Sequence, residues 1–264
     1  MKIITHNGQF HADEILAIVM IKKFYFINKI ERRIPTEEDM QDSTIFVLDI
    51  GGESDYSEPY SKGNFDHHQD ENLLCTSSQV FEYLVDQCSL IHESIAKLMY
   101  PELYGIEPEA SSLFHTVDLV DRGKAVASYD GFSSMIRSLN GMEGGFTFAI
   151  MMAEIVFKGQ LHSAELRDRA MGIWINGEDH GNVRFFRTSE KMPDWRSFAE
   201  NINVEFIVTP GREEDTWNLI SRDAEQFPIQ PDEEQLFLHN ANFLAVYPDP
   251  ATAIGAGNRM SLKL

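Results

Sequence analysis

The chain has 264 residues, 43% of them hydrophobic and 24% charged, which leaves room for one large domain or two modest ones and excludes a disordered or collagen-like chain. Lys and Arg number 22 against 42 Asp and Glu, so the formal charge is −20 and the sequence pI is near 4.7. Such a charge repels polyanions at long range and excludes non-specific binding of long duplex DNA, but an acidic pocket loaded with divalent cations reverses sign and remains open to phosphate chemistry.

Lys2–Thr5 reads as a short strand entering the polar loop His6-Asn7-Gly8-Gln9, with no signal-peptide apolar region; the expectation is a cytoplasmic protein. From His11 to Phe26, the residues Ile15, Ile18 and Val19, with Leu16 and Met20, recur at helical spacing. Thr44–Ile50 is a continuous apolar run closed by Gly51-Gly52, the pattern of a strand buried on both faces. Gly63–Phe65 is a third short run. Residues 77–100 read as helical, with Val80, Phe81, Leu84 and Val85 on one stripe, and a long helical region runs from about Phe146 to Trp174. The longest apolar stretches, Ile15 to Ile21 and Phe146 to Phe157, are too short or too interrupted to span a bilayer, so no membrane partner is expected.

After Gly181 the texture changes. Val204–Val208, Trp217–Ser221, Leu236–His239 and Phe243–Tyr247 look like short strands between Pro/Gly or acidic turns. The expected fold is therefore α/β, a parallel sheet flanked by helices over residues 1–180, with a second, smaller α+β domain over 181–264. Glu37-Glu38-Asp39, Glu213-Glu214-Asp215 and Asp232-Glu233-Glu234 read as solvated loops. Cys75 and Cys88, thirteen residues apart, form neither a disulfide framework nor a zinc knuckle and are expected as two buried thiols.

Four of the nine histidines fall in the first 68 residues. In an open α/β sheet, ligands bind outside the carboxyl ends of the strands. His6, with His11 and Asp13 just beyond, follows the first strand; Asp49 ends the second; Asp66-His67-His68 ends the third. Each motif alone has a plain structural use, as a turn, a cap or a first-turn acid. Together at successive strand ends they are the layout of a metal site. Imidazole and carboxylate ligands without thiolate suit Mn²⁺ best, with Mg²⁺, Co²⁺ or Zn²⁺ as alternatives to it.

These motifs carry a resemblance. Thr5-His6-Asn7-Gly8-Gln9-Phe10-His11-Ala12-Asp13-Glu14, Asp49-Ile50-Gly51-Gly52 and Phe65-Asp66-His67-His68-Gln69 resemble the melanocyte-proliferating-gene proteins (uncharacterised family 0160), which are similar to the DHH phosphoesterase superfamily. Ser77-Ser78, Val117 to Gly123, Arg137-Ser138-Leu139-Asn140, Trp217 and Phe237 to Phe243 extend the resemblance over nearly the whole chain. It implies a DHH-like catalytic domain and a smaller domain that grips substrate. It also implies two divalent cations bridged by Asp49, one completed by His6 and His11, the other by Asp13, His67 and Asp121, with Asp118 as the alternative to Asp121. By the same resemblance Asp66 orients His67, and His68 contacts the scissile phosphate. The family usually has Asn where Arg122 stands, and Gly-Gly where Leu244-Ala245 follow Phe243; glycines come later here, at Gly255 and Gly257.

Arg137 could meet a phosphate, His239 a substrate, and Arg259 offers a cation in the second unit. Arg122 could instead pair with Asp118, and Trp217 could stack a base or bury in the small sheet. His92, His115, His162 and His180 have no acidic partner at ligand spacing. The expected function is a metal-dependent phosphodiesterase, a 3′→5′ exonuclease on RNA or short oligonucleotides, the activity that the resemblance implies. Two other readings remain: a pyrophosphatase-like or phosphomonoester hydrolase, and a non-catalytic metal-binding regulator.

Overall fold

The computed structural model describes residues 1–54, 63–108, 110–200, 202 and 204–261. Four short strands, β1 (Lys2–Thr5), β2 (Lys29–Arg32), β3 (Ile45–Leu48) and β4 (Asn64–Phe65), pair in the order β2-β1-β3-β4, every pair parallel. β3 is buried at all its positions, as its unbroken apolar sequence requires of a strand covered on two faces. β2, Lys-Ile-Glu-Arg, lacks that signal and was not legible in the sequence; its charges suit an edge strand.

The chain is a layered α/β structure around this sheet. Ile3, Phe46, Leu48 and Phe65 point into the main core with α1 (Ala12–Phe24), while Ile4, Ile45 and Val47 pack on Met40 of α2 (Glu37–Gln41) across the other face. Helix α1 is buried from Ala12 to Ile21 on every side. A helix apolar all round is one surrounded by protein; α1 packs against β3, α3 (Thr76–Glu82) and, beyond α4 (Glu93–Met99), against α5 (Leu113–Asp121) and α6 (Phe132–Ser138). Ile15, Leu16 and Ile18 are fully buried, and each such side chain contributes about 1.5–3 kcal/mol to folding.

Two expectations are corrected here. Residues 77–100 are not one helix: α3 passes into a π-helical turn at Tyr83–Gln87, and α4 begins afresh behind the His92 cap. Glu37-Glu38-Asp39 is not a solvated loop but the start of α2. Thr36 and Asp39 form a reciprocal capping box, and Asp39 is buried against Arg33.

The chain divides into two compact units, Met1–Ala164 and Glu165–Leu264. The division falls within α7 (Gly145–Ile175), ahead of the change of texture at Gly181, because Ala170 and Trp174 bury with Phe186, Trp195 and Ile207 of the second unit. That unit contains β5 (Glu178–His180), β6 (Val183–Phe185), α8 (Trp195–Glu200), β7 (Phe206–Pro210), β8 (Trp217–Ser221), β9 (Phe237–Leu238), β10 (Leu244–Tyr247) and α9 (Pro250–Ser261). Its sheet runs β5-β6-β7-β8-β10-β9 and is antiparallel except between β6 and β7. Gly257 lets α9 lie close on this sheet, since a Cβ there would stand 2.6 Å from Val183 Cγ2. Among the described residues, no helix is long and apolar enough to cross a membrane.

Candidate metal centre

Strand register builds the site. Thr5 pairs with Leu48, and Leu48 with Phe65, so the next residues, His6, Asp49 and Asp66, leave the sheet side by side at its carboxyl edge. β1 connects first to β2 on one side, and β3 then pairs on its other side. The strand order therefore reverses at β1 and β3, the crevice where open α/β sheets bind ligands. Asp49 turns the chain there with φ 58°, a left-handed conformation that Asp tolerates better than most residues. Gly51 and Gly52, also at positive φ, complete the turn and bring the Gly52 N–H within 2.7 Å of Asp66 Oδ2.

Asp49 is 4% exposed, and its two carboxylate oxygens face different neighbours. Oδ2 lies 3.4 Å from His6 Nε2, while Oδ1 lies 3.4 Å from His67 Nε2 and 3.7 Å from His68 Nδ1. His67 Nε2 is also 2.9 Å from Asp121 Oδ2, and His11 Nδ1 is 3.7 Å from Asp121 Oδ1. Three sets of side chains each bring ligand atoms within 4.8 Å of one another: Asp49, His67 and His68; His6, Glu14 and Asp49; His11, Asp13 and Asp121. Asp49 belongs to two of them.

The structure brings together His6, His11, Asp13, Asp49, His67, His68 and Asp121. It also adds one residue that sequence reasoning missed. Glu14 is fully buried, pairs closely with His6 and accepts a 2.8 Å hydrogen bond from Thr5 Oγ1. Its signal was a second acid following Asp13 in a helix first turn that is otherwise apolar, where neither acid has solvent to face.

Asp118 stands apart. It accepts from the Cys75 backbone N–H at 2.8 Å and pairs with Arg122, one turn along α5. The family departure at Arg122 thus engages the acid that is not beside the histidines. Asp66 receives the backbone N–H groups of His67 and His68, and its Oδ1 lies 2.6 Å from His68 Nδ1. The imidazole it orients is that of His68 rather than His67, because adjacent residues at a strand end point in different directions.

Charge in the metal-free chain is strained in one direction. Burial, then the charges of Asp49 and Asp121, push the Asp13 carboxyl well above its usual range. Burial raises Glu14 as well, against the opposing pull of His6. Asp49 and Glu14 push His6 up to about 10. Burial lowers His67, but Asp121 and Asp49 overcome it and carry the ring up to about 10. Asp49 is lowered, since His6 and His67 outweigh its burial.

The donor set fits a divalent cation. Both oxygens of Asp13 and Glu14 Oε1 are buried without a hydrogen-bond donor, and a buried carboxylate left so is costly unless a cation or proton neutralises it. All donors are nitrogen or oxygen, as hard and borderline cations prefer.

The other expected residues divide. Arg137 stands beside His11 and Asp121 in one small cavity. In the second unit, Arg259 engages Asp232 and Glu234, and His239 accepts from the Ala241 N–H while packing on Phe243. Trp217 lies against Phe185. His180 does have an acidic neighbour, Glu178 at 3.7 Å. Cys75 is buried, but Cys88 is only partly so, with Sγ 3.1 Å from Tyr25 Oη.

Fold and site together define an α/β protein with a histidine–carboxylate cluster able to hold a metal at a sheet switch point. Residues 2–127 match the family model MYG1_exonuc, described as Uncharacterised protein family (UPF0160). The motifs His6–Glu14, Asp49–Gly52 and Phe65–Gln69 all lie within that segment, where the chain is similar to this family. A MYG1 protein of Chlamydia muridarum is 30% identical over 159 residues, 56% of this chain and 50% of its own length. A MYG1 protein of Chlamydia trachomatis serovar D is 31% identical, with coverage of 56% and 50%. The Schizosaccharomyces pombe MYG1 protein C694.04c is 23% identical, with coverage of 74% and 55%. The chain spans about half the length of the curated relatives it matches. Among solved structures, the pGpG-specific phosphodiesterase PggH of Vibrio cholerae aligns over 99% of both chains at 10% identity and a TM-score of 0.33. RecJ in complex with Mn²⁺ from Thermus thermophilus aligns over 98% of this chain and 51% of its own, at 11% identity and a TM-score of 0.25.

Proposed function

We propose that the protein is a divalent-metal-dependent phosphoester hydrolase, acting as a 3′→5′ exonuclease on RNA or short oligonucleotides. The observation that carries this reading is the placement of Asp49, whose two oxygens face two ligand sets. A carboxylate so placed suits a bridge between two cations. By the resemblance His6 and His11 would serve one cation, and Asp13, His67 and Asp121 the other, with Mn²⁺ the metal favoured; Glu14 stands with His6, and His11 lies beside Asp13 and Asp121. Cations held there supply a polarised phosphoryl group and a hydroxide at neutral pH.

The chain's own residues do the rest. Asp66 anchors His68 through Nδ1, so the imidazole offers its Nε2 from a side chain 61% exposed. As an imidazolium carrying both protons, the ring can donate that Nε2–H to a phosphoryl oxygen or to the leaving group, and is left as the neutral Nδ1–H form. Thr5 and Thr76 hydrogen-bond Glu14 and Asp49 and fix the carboxylate orientations. The family model's name supports an exonuclease. The charge of −20 favours short or single-stranded substrates, since few phosphates can be neutralised at once.

The test is incubation of the purified protein with Mn²⁺ and a 3′- or 5′-labelled short RNA, and separately with pyrophosphate. Stepwise loss of nucleotides from the 3′ end is the expected result. Turnover of pyrophosphate alone would replace the exonuclease with a phosphoanhydride hydrolase, and metal binding without either turnover would leave a regulator.

A further inference from the structure

Beside the candidate metal centre, α1, α5 and α6 enclose a cavity of about 70 Å³. Its walls are Val117 and Val120, with His11 and Asp121 on the side of the metal residues and Ser133 and Arg137 on α6. Ser133 and Arg137 are one helical turn apart and so share a face. Arg137 is exposed, and its guanidinium has no ion pair or hydrogen bond among the described residues. Ser133 is 9% exposed, and its Oγ is buried without any partner.

A buried hydroxyl without a partner is unfavourable unless a ligand completes it, and the exposed Arg137 leaves a guanidinium free to meet an anion beside it. The wall they form is held firmly. Asn140, just past Arg137, accepts from the Phe10 N–H at 3.0 Å and donates to the Phe10 carbonyl at 2.8 Å, which ties the end of α6 to the residue before His11. The end of α6 that carries Arg137 is therefore held near His11.

We propose that Ser133 and Arg137 form a phosphate subsite next to the metal centre. Arg137 presents guanidinium N–H groups to phosphoryl oxygens, and Ser133 donates its hydroxyl from the floor. The cavity is far below the roughly 300 Å³ at which sites for larger ligands begin, so it admits a phosphate and no nucleobase. This deepens the hydrolase reading and rests on it: the substrate's phosphoryl group is held by α6 on the side away from the strand-end ligands.

Inorganic phosphate titrated into the Mg²⁺-loaded protein by calorimetry tests the subsite, alongside metal stoichiometry and thermal unfolding. Arg137→Ala is expected to weaken phosphate binding at least about tenfold, as loss of a charge-assisted contact does, and Arg137→Lys to weaken it less. Ser133→Ala is expected to weaken it a few-fold while the melting temperature holds or rises, because that hydroxyl has no protein partner to lose. Metal stoichiometry should stay that of the wild type throughout. A protein that carries its metals and hydrolyses diesters, yet binds phosphate equally with or without these side chains, overturns the subsite and spares the hydrolase reading. A wild type that binds no metal overturns both.

Discussion

The two units treat charge in opposite ways. In the second, cations answer carboxylates: Arg184 meets Asp179, Arg187 meets Glu178, and Arg259 meets Asp232 and Glu234. In the first, the sheet's carboxyl edge gathers Asp13, Glu14, Asp49 and Asp121 with imidazoles as the cations beside them, and neither carboxyl oxygen of Asp13 has a cationic partner. Asp39 provides a contrast within the first unit. It is nearly as buried as Asp49, 8% against 4% exposed, yet Arg33 grips both its oxygens. Buried charge in this protein is paired wherever it serves structure. Asp13, by contrast, is left open at the sheet edge that could hold a cation.

The strongest challenge to that contrast is Asp49→Asn. It preserves shape while removing the charge shared by two ligand sets. Metal content should fall from two to one or none, and hydrolysis should disappear. Two metals retained with near-normal turnover in the folded variant would falsify the bridging role.

Next comes pH. Asp13 and Glu14 hold protons above their ordinary 3.8 and 4.5, and His6 and His67 above 6.5, up to about 10. Without metal, these four groups bind more protons folded than unfolded, and their contribution to stability falls as pH rises from about 4 toward 10. The lowered Asp49 acts oppositely only below 3.8. Cations replace these protons, so metal affinity should rise with pH; at about a hundredfold excess over Kd the gain is about 2.7 kcal/mol. Melting curves with and without Mn²⁺ should diverge as pH increases. Parallel curves would count against a proton-for-metal exchange.

Asp13→Asn separates stability from function. It removes an acid whose ionisation burial and the charges of Asp49 and Asp121 oppose, and should stabilise the protein without metal by about 0.5–2 kcal/mol near neutral pH while weakening metal binding. Chemical denaturation decides it, and a clear destabilisation would mean that Asp13 is a structural acid. Arg259→Ala is the smallest expected effect, within about 1 kcal/mol, because Arg259 itself and Glu234 are about half exposed and salt screens them. A larger loss would show that the second unit depends on its pairs more than exposed ion pairs usually allow.

His67 and His68 sharpen the comparison inside the site. His67, 11% exposed and between Asp49 and Asp121, should lose metal when changed to Ala. His68, 61% exposed and held by Asp66, should lose turnover with the metal retained. Equal metal loss from both variants would erase the distinction.

Local sequence determined the strand ends and their chemistry. A four-residue apolar run can only be a buried strand, and a polar residue directly after it must emerge at the sheet edge, so His6, Asp49 and Asp66 were legible as neighbours. The helical spacing around Ile15 placed Asp13 in a first turn for the same reason. The edge strand β2 and the break after α3 were not legible, because a charged edge strand has no apolar pattern and a π-helical turn keeps the helical one. Only the tertiary structure decided between Asp121 and Asp118, which lie on one face of α5. Their roles diverge because Arg122 and the Cys75 N–H capture one, while α5 packed against α1 delivers the other to His11 and His67. The tertiary structure also brought Glu14 into the centre. Burial strips water from α1, so an acid that a surface helix would leave in solvent must find a partner inside, and the strand-end imidazole of His6 is the one within reach.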